Sequence, residues 1–184
     1  MAAAKEEFNE EDTRPVKVLF QDEGQFGRIS DPAHCWAPEG IRPVVPVHIV
    51  REYTHAFSAV CPHDGESFSL ILPYADTEAM KIFLKECSDH FKEYRIIMVM
   101  DKAAWHRSNE IGEYNNIRIM HQPPYSPELN PVEHLWEYIR ENYLKNCMWS
   151  TLEELEQKLE SILKNIMECA ETIRDLVDFH WAIV

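Results

Sequence analysis

Apolar positions along the chain fall into two rhythms, one of period two and one of helical period, and these divide it into elements. "VKVLFQ" (16–21) reads as a strand running into an acidic pair, Asp22 and Glu23. "SDPAHCWAPEG" (30–40), with two prolines and a glycine, is loop-like. "RPVVPVHIV" (42–50) is expected to be extended, its prolines making it an edge or an interrupted strand. "THAFSAVCP" and "ESFSLILP" are β-like runs separated by "HDGE", which predicts a hairpin. "DTEAMKIFLKECSDHF" is helical, with Ala79, Ile82, Phe83, Cys87 and Phe91 on one face. The unbroken apolar run Ile96–Met100, ending at Asp101, suits a strand buried on both sides. "SNEIGEY" predicts a short helix, "IRIM" a short strand, and Pro131 to about Lys145 a helix. From Ser150 to Phe179 the pattern is that of one long amphipathic helix. Thr151 and Glu154 form its capping box, and Leu152, Leu155, Leu159, Ile162, Ile166, Ile173 and Val177 its stripe. That stripe packs on a sheet or pairs with a second copy as a coiled coil. The order β-β-β-α-β-α-β-α is that of an α/β layer architecture with a mixed sheet.

Composition narrows the class. A length of 184 residues suits one domain with a sizeable core, residues 14–184, preceded by an acidic and flexible stretch over 1–13. No window approaches the ~20 apolar residues of a membrane span. The opening "MAAAKEEFNEEDTRP" lacks the apolar segment of a signal peptide. Five cysteines at irregular spacing give no disulfide framework, which points to an intracellular, reducing compartment.

The net charge of −14 argues at face value against nucleic acid. Much of it sits at the ends, however: residues 1–13 carry −4 and residues 151–184 carry −5. The middle, at −5, comes close to neutral if three of its acids hold two divalent cations.

Three carboxylates draw attention. Asp22 and Asp101 each end an apolar strand-like run, where ligands gather in open α/β sheets. Brought together, two such groups repel unless a cation lies between them, and Mg2+ suits such a place. The competing reading is that an aspartate after a strand simply begins a turn. Glu133 also has two readings. Asn130 suits an N-cap, Pro131 the first helical position and Glu133 the third, a capping arrangement stabilising by ~1 kcal/mol. Yet a cap does not need four prolines before it, Pro123, Pro124, Pro127 and Pro131. A carboxylate that must reach ions held by two distant strands does need a stiff approach. Other constellations fail: Cys61-Pro62-His63 and His34-Cys35 lack partner pairs for zinc, and five glycines make no phosphate loop.

The segments "LFQDEGQFGR", "CWAPEGIRPVV", "AVCPHDGESFSLILP", "MVMDKAAWHRS" and "QPPYSPELNPVEHLWEYIR" occur in the order found in DDE transposases. Over residues 18 to about 143 the chain resembles their catalytic domain, in the mariner-like bacterial branch called insertion-sequence family 630. The resemblance implies a ribonuclease H-like fold, a mixed five-stranded sheet flanked by helices, with Asp22, Asp101 and Glu133 as the catalytic, metal-binding triad. It implies two Mg2+ ions per site, with Mn2+ as a substitute, acting in DNA cleavage at element ends and then strand transfer to target DNA. Candidate DNA contacts are Lys102, His106, Tyr125 and Ser126; Asn130 and Glu137 are candidates for supporting the triad. Trp36 and Gly40 match the family as a packing residue and a turn.

Lys102 stands where the family has Asn, which either engages a phosphate, pairs with Asp101, weakens the site or is merely solvated. The 31 residues between Asp101 and Glu133 are a few fewer than is usual for the family. The helix-turn-helix region expected ahead of the domain has no counterpart in this sequence. A separate or frameshift-fused DNA-binding partner is therefore expected, along with a homo-oligomer in the active complex and a nucleoid-associated place in the bacterial cytoplasm. The alternatives are a catalytically impaired or domesticated remnant that binds DNA or partners, and another ribonuclease H-like nuclease. Retained carboxylates favour the transposase, Lys102 and the missing region the remnant, and the proline block disfavours the third.

Overall fold

In the computed structural model, residues 8, 11–101, 114–123, 126 and 129–177 are described. Five strands form a single mixed sheet in the order β3-β2-β1-β4-β5. They are β1 (Val16–Ile29), β2 (Ile49–Val60), β3 (Ser67–Leu72), β4 (Arg95–Met100) and β5 (Ile117–His121). β1, β2 and β3 pair antiparallel, while β4 lies parallel to β1 and β5 parallel to β4. The helices are α1 (Thr77–His90), α2 (Val132–Ile139), α3 (Leu152–Glu168) and α4 (Ala170–Leu176). A π-helical turn, Arg140–Leu144, continues α2.

The strand alternation sorts side chains onto two faces. Leu19, Phe57, Ile96, Met98 and Met100 face α1, packing on Met80, Phe83, Leu84 and Cys87. Phe20, Phe26, Ala56, Ile97 and Val99 face α2, α3 and α4, packing on Val132, Leu135, Trp136, Leu159 and Ile166. β4 is thus covered on both sides, as its unbroken apolar run predicts, and Ile96 to Met100 are all buried. The hairpin also stands where expected, with Val60 opposite Ser67. Phe8, within the acidic opening stretch, is buried in the second core against the Arg118 guanidinium, 4.8 Å from the ring centre.

Five expectations are corrected. β1 does not end before Asp22 but runs on to Ile29, because β2 supplies a partner for nearly every residue from Phe20 onward. The segment 42–48 is not a strand: Pro43 and Pro46 lack N–H donors, and only Ile49 and Val50 join β2. Residues 31–47 instead form an irregular excursion. At its base the Ser30 N–H donates to the His48 carbonyl and the His48 N–H to Ser30 Oγ, both at 2.9 Å. Trp36 lies on this excursion fully exposed rather than packed, while Gly40 does take a turn, with φ +83°. Ile82 points to solvent, since the buried face of α1 runs through Met80 and Leu84.

The expected single C-terminal helix is interrupted at Cys169, dividing α3 from α4. The β2–β3 turn reaches that interruption: a Cβ on Gly65 (φ +78°) would lie 2.1 Å from the Ala170 carbonyl oxygen. The α3 cap forms as read, Thr151 Oγ1 accepting the Glu154 N–H at 3.2 Å, although the Glu154 carboxylate accepts from Ser150 N. All five cysteines are free thiols, and no described helix is long and apolar enough to cross a membrane. The expected helix over 108–114 lies, but for Tyr114, outside the described residues.

Candidate active site

β1 leaves β4 just before its first carboxylate. The parallel ladder runs from Val16 opposite Arg95 to Phe20 opposite Val99 and stops there. Asp22 and Asp101 each follow by two residues: alternation along β1 puts Asp22 on the face of Phe20, and Asp101 lies one residue past the end of β4. Beyond Phe20, β1 stays with β2 alone. The same face is covered by α2, whose Val132, Leu135, Trp136 and Ile139 are buried in the core shared with Phe20 and Val99. Glu133 occupies the first turn of that helix. Residues distant in sequence therefore gather at one end of the sheet because of strand register and one amphipathic helix.

Buried amides hold this end together. Asn130 Nδ2 donates to the Gln21 carbonyl at 3.1 Å, fastening the start of α2 beside Asp22. Its side-chain oxygen accepts the Val132 N–H at 3.2 Å, which is the capping role read for it. Pro131 already has helical dihedrals (φ −59°, ψ −23°). Among the described residues, no hydrogen bond returns from the Glu133 carboxylate to the Asn130 N–H. That side chain is exposed and not consumed by the cap. The Gln122 N–H donates to the Met100 carbonyl at 2.8 Å, and its side chain donates to the Leu129 carbonyl at 3.0 Å. The end of β4 and the approach to α2 are thereby joined. Beside them, His121 Nδ1 donates to the Asp101 carbonyl at 2.9 Å.

The electrostatics of Asp22 are unusual for an aspartate. Burial pushes its carboxyl up to about 7; the nearby Glu133 and Glu23 carboxylates push the same way, and the Trp136 hydrogen bond opposes them. That bond runs from the indole Nε1 to Asp22 Oδ2 at 2.9 Å. Asp101 and Glu133 are exposed, and Glu137, one turn on from Glu133, is exposed too. Ser126 is half-buried on the approach to α2. Lys102, His106 and Tyr125 lie outside the described residues. Among the described residues, no three His, Cys, Asp or Glu side chains stand close enough together to hold one metal ion.

Gln21, Gln122 and Trp136 were not legible as parts of this region. Gly24 carried the one available signal: a glycine inside a strand marks a close approach. A Cβ there would lie 2.8 Å from Trp136 Cδ2 and 2.9 Å from Phe26 Cε2.

Residues 17–156 match the family model described as DDE superfamily endonuclease. The chain belongs to this family. Among its relatives is an uncharacterized protein, y4pE/y4sA of Sinorhizobium fredii, 34% identical over 133 residues, 72% of this chain and 91% of that one. An uncharacterized 39 kDa protein of insertion element IS630 from Shigella sonnei is 28% identical over 75 residues, 39% of this chain and 22% of that one. Solved Mos1 transposase structures share the fold. A paired-end complex with the left transposon end superposes with a TM-score of 0.66 at 16% identity, covering 88% of this chain and 51% of that one. A mariner Mos1 paired-end complex with Mg superposes at 0.61 and 15% identity, over 88% of this chain and 52% of that one. The same complex with Mn gives 0.62 at 14% identity, over 88% and 54%. The chain thus spans about half the length of the solved structures it matches. Its five-stranded mixed sheet with flanking helices is ribonuclease H-like, and the resemblance to IS630 and mariner-like DDE proteins read from the motifs holds.

Proposed function

We propose that this chain is the catalytic domain of a transposase, carrying out metal-dependent DNA cleavage and strand transfer at insertion-sequence ends. What supports the reading is Asp22 and Asp101 at equivalent positions past one parallel ladder, with Glu133 in the first turn of the helix that packs on Phe20 and Val99.

Mg2+ or Mn2+ fits this donor set. The three side chains are hard oxygen donors, and the burial and like charge that push Asp22 up to about 7 are what a bound dication would offset. Asp22, Asp101 and Glu133 would hold the ions. When bound, these would supply a water of lowered pKa and charge neutralisation at a phosphodiester. Asp22 is the most buried of the three, and Trp136 holds its Oδ2. Asn130 fixes the helix that brings Glu133 to the strands, so it positions the third carboxylate without touching DNA. Glu137 is a weaker candidate for the same support. Lys102, His106, Tyr125 and Ser126 are proposed to meet the DNA backbone, which would make binding salt-dependent. Element-end recognition is assigned to a helix-turn-helix partner, separate or joined by frameshifting, and the active complex to a homo-oligomer.

The test is nicking of a terminal-repeat duplex with Mg2+ or Mn2+, with and without such a partner supplied. Nicking that disappears in Glu133→Ala is expected. A folded wild-type chain that cuts nothing with either metal, partner included, overturns the reading. That outcome would favour a DNA-binding remnant, the alternative supported by the open spacing of the three carboxylates.

A further inference from the structure

A tryptophan in the hydrophobic core holds one oxygen of the innermost carboxylate. Trp136 is 1% exposed, and on α2 it follows Glu133 by three residues, close to one helical turn. Its indole has a single polar atom, the Nε1 hydrogen, which can only donate. That hydrogen goes to Asp22 Oδ2 at 2.9 Å. The ring is fixed in turn. Phe26 meets it edge-on, with centroids 5.8 Å apart and planes at 75°. Gly24 lies beneath it, bare of the Cβ that would strike Cδ2 at 2.8 Å. Asp22, Gly24 and Phe26 are alternate residues of one strand and therefore share a face: one carboxylate, one gap and one ring, all directed at the same indole.

We propose that Trp136 is a positioning residue for metal binding: its indole N–H holds Oδ2 of Asp22 and so orients that carboxylate toward a divalent cation. Gly24 is the residue that permits it. The inference rests on the metal-binding role proposed above for Asp22. Any buried indole N–H needs an acceptor; what singles this one out is that its acceptor is the carboxylate proposed to bind metal. Without that donor the buried carboxylate would be less firmly oriented and costlier to keep charged. Outer partners of metal ligands typically contribute ~10–100-fold to metal affinity.

The experiment reads metal binding directly, without catalysis. Mn2+ binding to the full chain is measured from the electron paramagnetic resonance signal of free Mn2+, for wild type, Trp136→Phe and, as a control distant from Asp22, Trp149→Phe. The expected result is Mn2+ affinity ~10-fold or more weaker in Trp136→Phe and unchanged in Trp149→Phe.

Because Trp136→Phe removes core volume, a second measurement uses no variant of Trp136. Indole 15N–1H resonances of wild type are followed through a Mg2+ titration, the Trp136 signal being recognised as the one that moves in Asp22→Asn. It is expected to shift saturably with Mg2+, and to stop doing so in Asp22→Asn. Wild-type Mn2+ affinity in a folded Trp136→Phe protein, or an indole signal indifferent to saturating Mg2+, overturns the positioning role and leaves the nuclease reading standing. Failure of the wild-type chain to bind Mn2+ or Mg2+ at all overturns both.

Discussion

β1 carries two charged side chains five residues apart whose surroundings are opposite in kind. Lys17, near its start, is 4% exposed, yet its ammonium meets Asp64 at 2.7 Å and also Glu66. The Tyr94 ring centre lies 4.3 Å away. Burial pulls that ammonium down, but the bonds to Asp64 and Glu66 outweigh it and hold it above its ordinary value. Asp22, further on, has Glu133 and Glu23 for neighbours, and among the described residues no Lys or Arg forms an ion pair with it. One end of the strand brings its own counter-charge from the β2–β3 turn. The other gathers like charges, and it is there that the proposed function puts a divalent cation. A charge answered by its own protein marks the first as scaffold; a crowded, buried acid marks the second as a candidate site.

The largest effect that would break this contrast is catalytic. Asp22→Ala is expected to reduce Mg2+-dependent nicking to background, while Lys17→Met retains it per folded molecule. A plasmid-nicking assay on both variants decides, and equal activities would remove the distinction. Next comes stability. Lys17→Met strands two carboxylates but leaves them half in water, so a loss of ~2–3 kcal/mol is expected in urea unfolding, less than for a fully buried pair. Gly24→Ala, which pushes a methyl into Trp136 and Phe26, should cost ~1–2 kcal/mol by the same measurement.

The smallest effect has a pH signature. Because the folded Asp22 carboxyl sits near 7 rather than its ordinary 3.8, the native state keeps a proton the unfolded chain has lost, and stability falls as pH rises through that window. Asp22→Asn cannot ionise. It should therefore be more stable than wild type by ~1 kcal/mol at about pH 8 without metal, and no more stable at about pH 4. Thermal unfolding at the two pH values checks this. A gain that is the same at both would mean that burial and like charge do not raise this carboxyl in the folded protein.

The hairpin, the doubly buried β4 and the stripe of α3 were legible because each is set by local periodicity. The course of β1 past Asp22 was not. "DEGQFG" looks like a turn, with an acidic pair and two glycines, and it becomes strand only because β2 pairs with it and Trp136 needs the space over Gly24. The interruption at Cys169 was equally hidden, since Ile166 and Ile173 keep their helical phase across it. The carboxylates themselves stood out in the sequence through their place beside apolar runs and prolines. The equal distance of Asp22 and Asp101 past one ladder did not, because it depends on which strands become neighbours. That Asn130 caps α2 without the Glu133 carboxylate also required coordinates.

The ladder between β1 and β4 closes at Phe20 and Val99, short of both aspartates. From there β1 runs on with β2 alone, so no rung of the β1–β4 ladder spans the interval between Asp22 and Asp101. A change in that interval would therefore break no bond of the ladder.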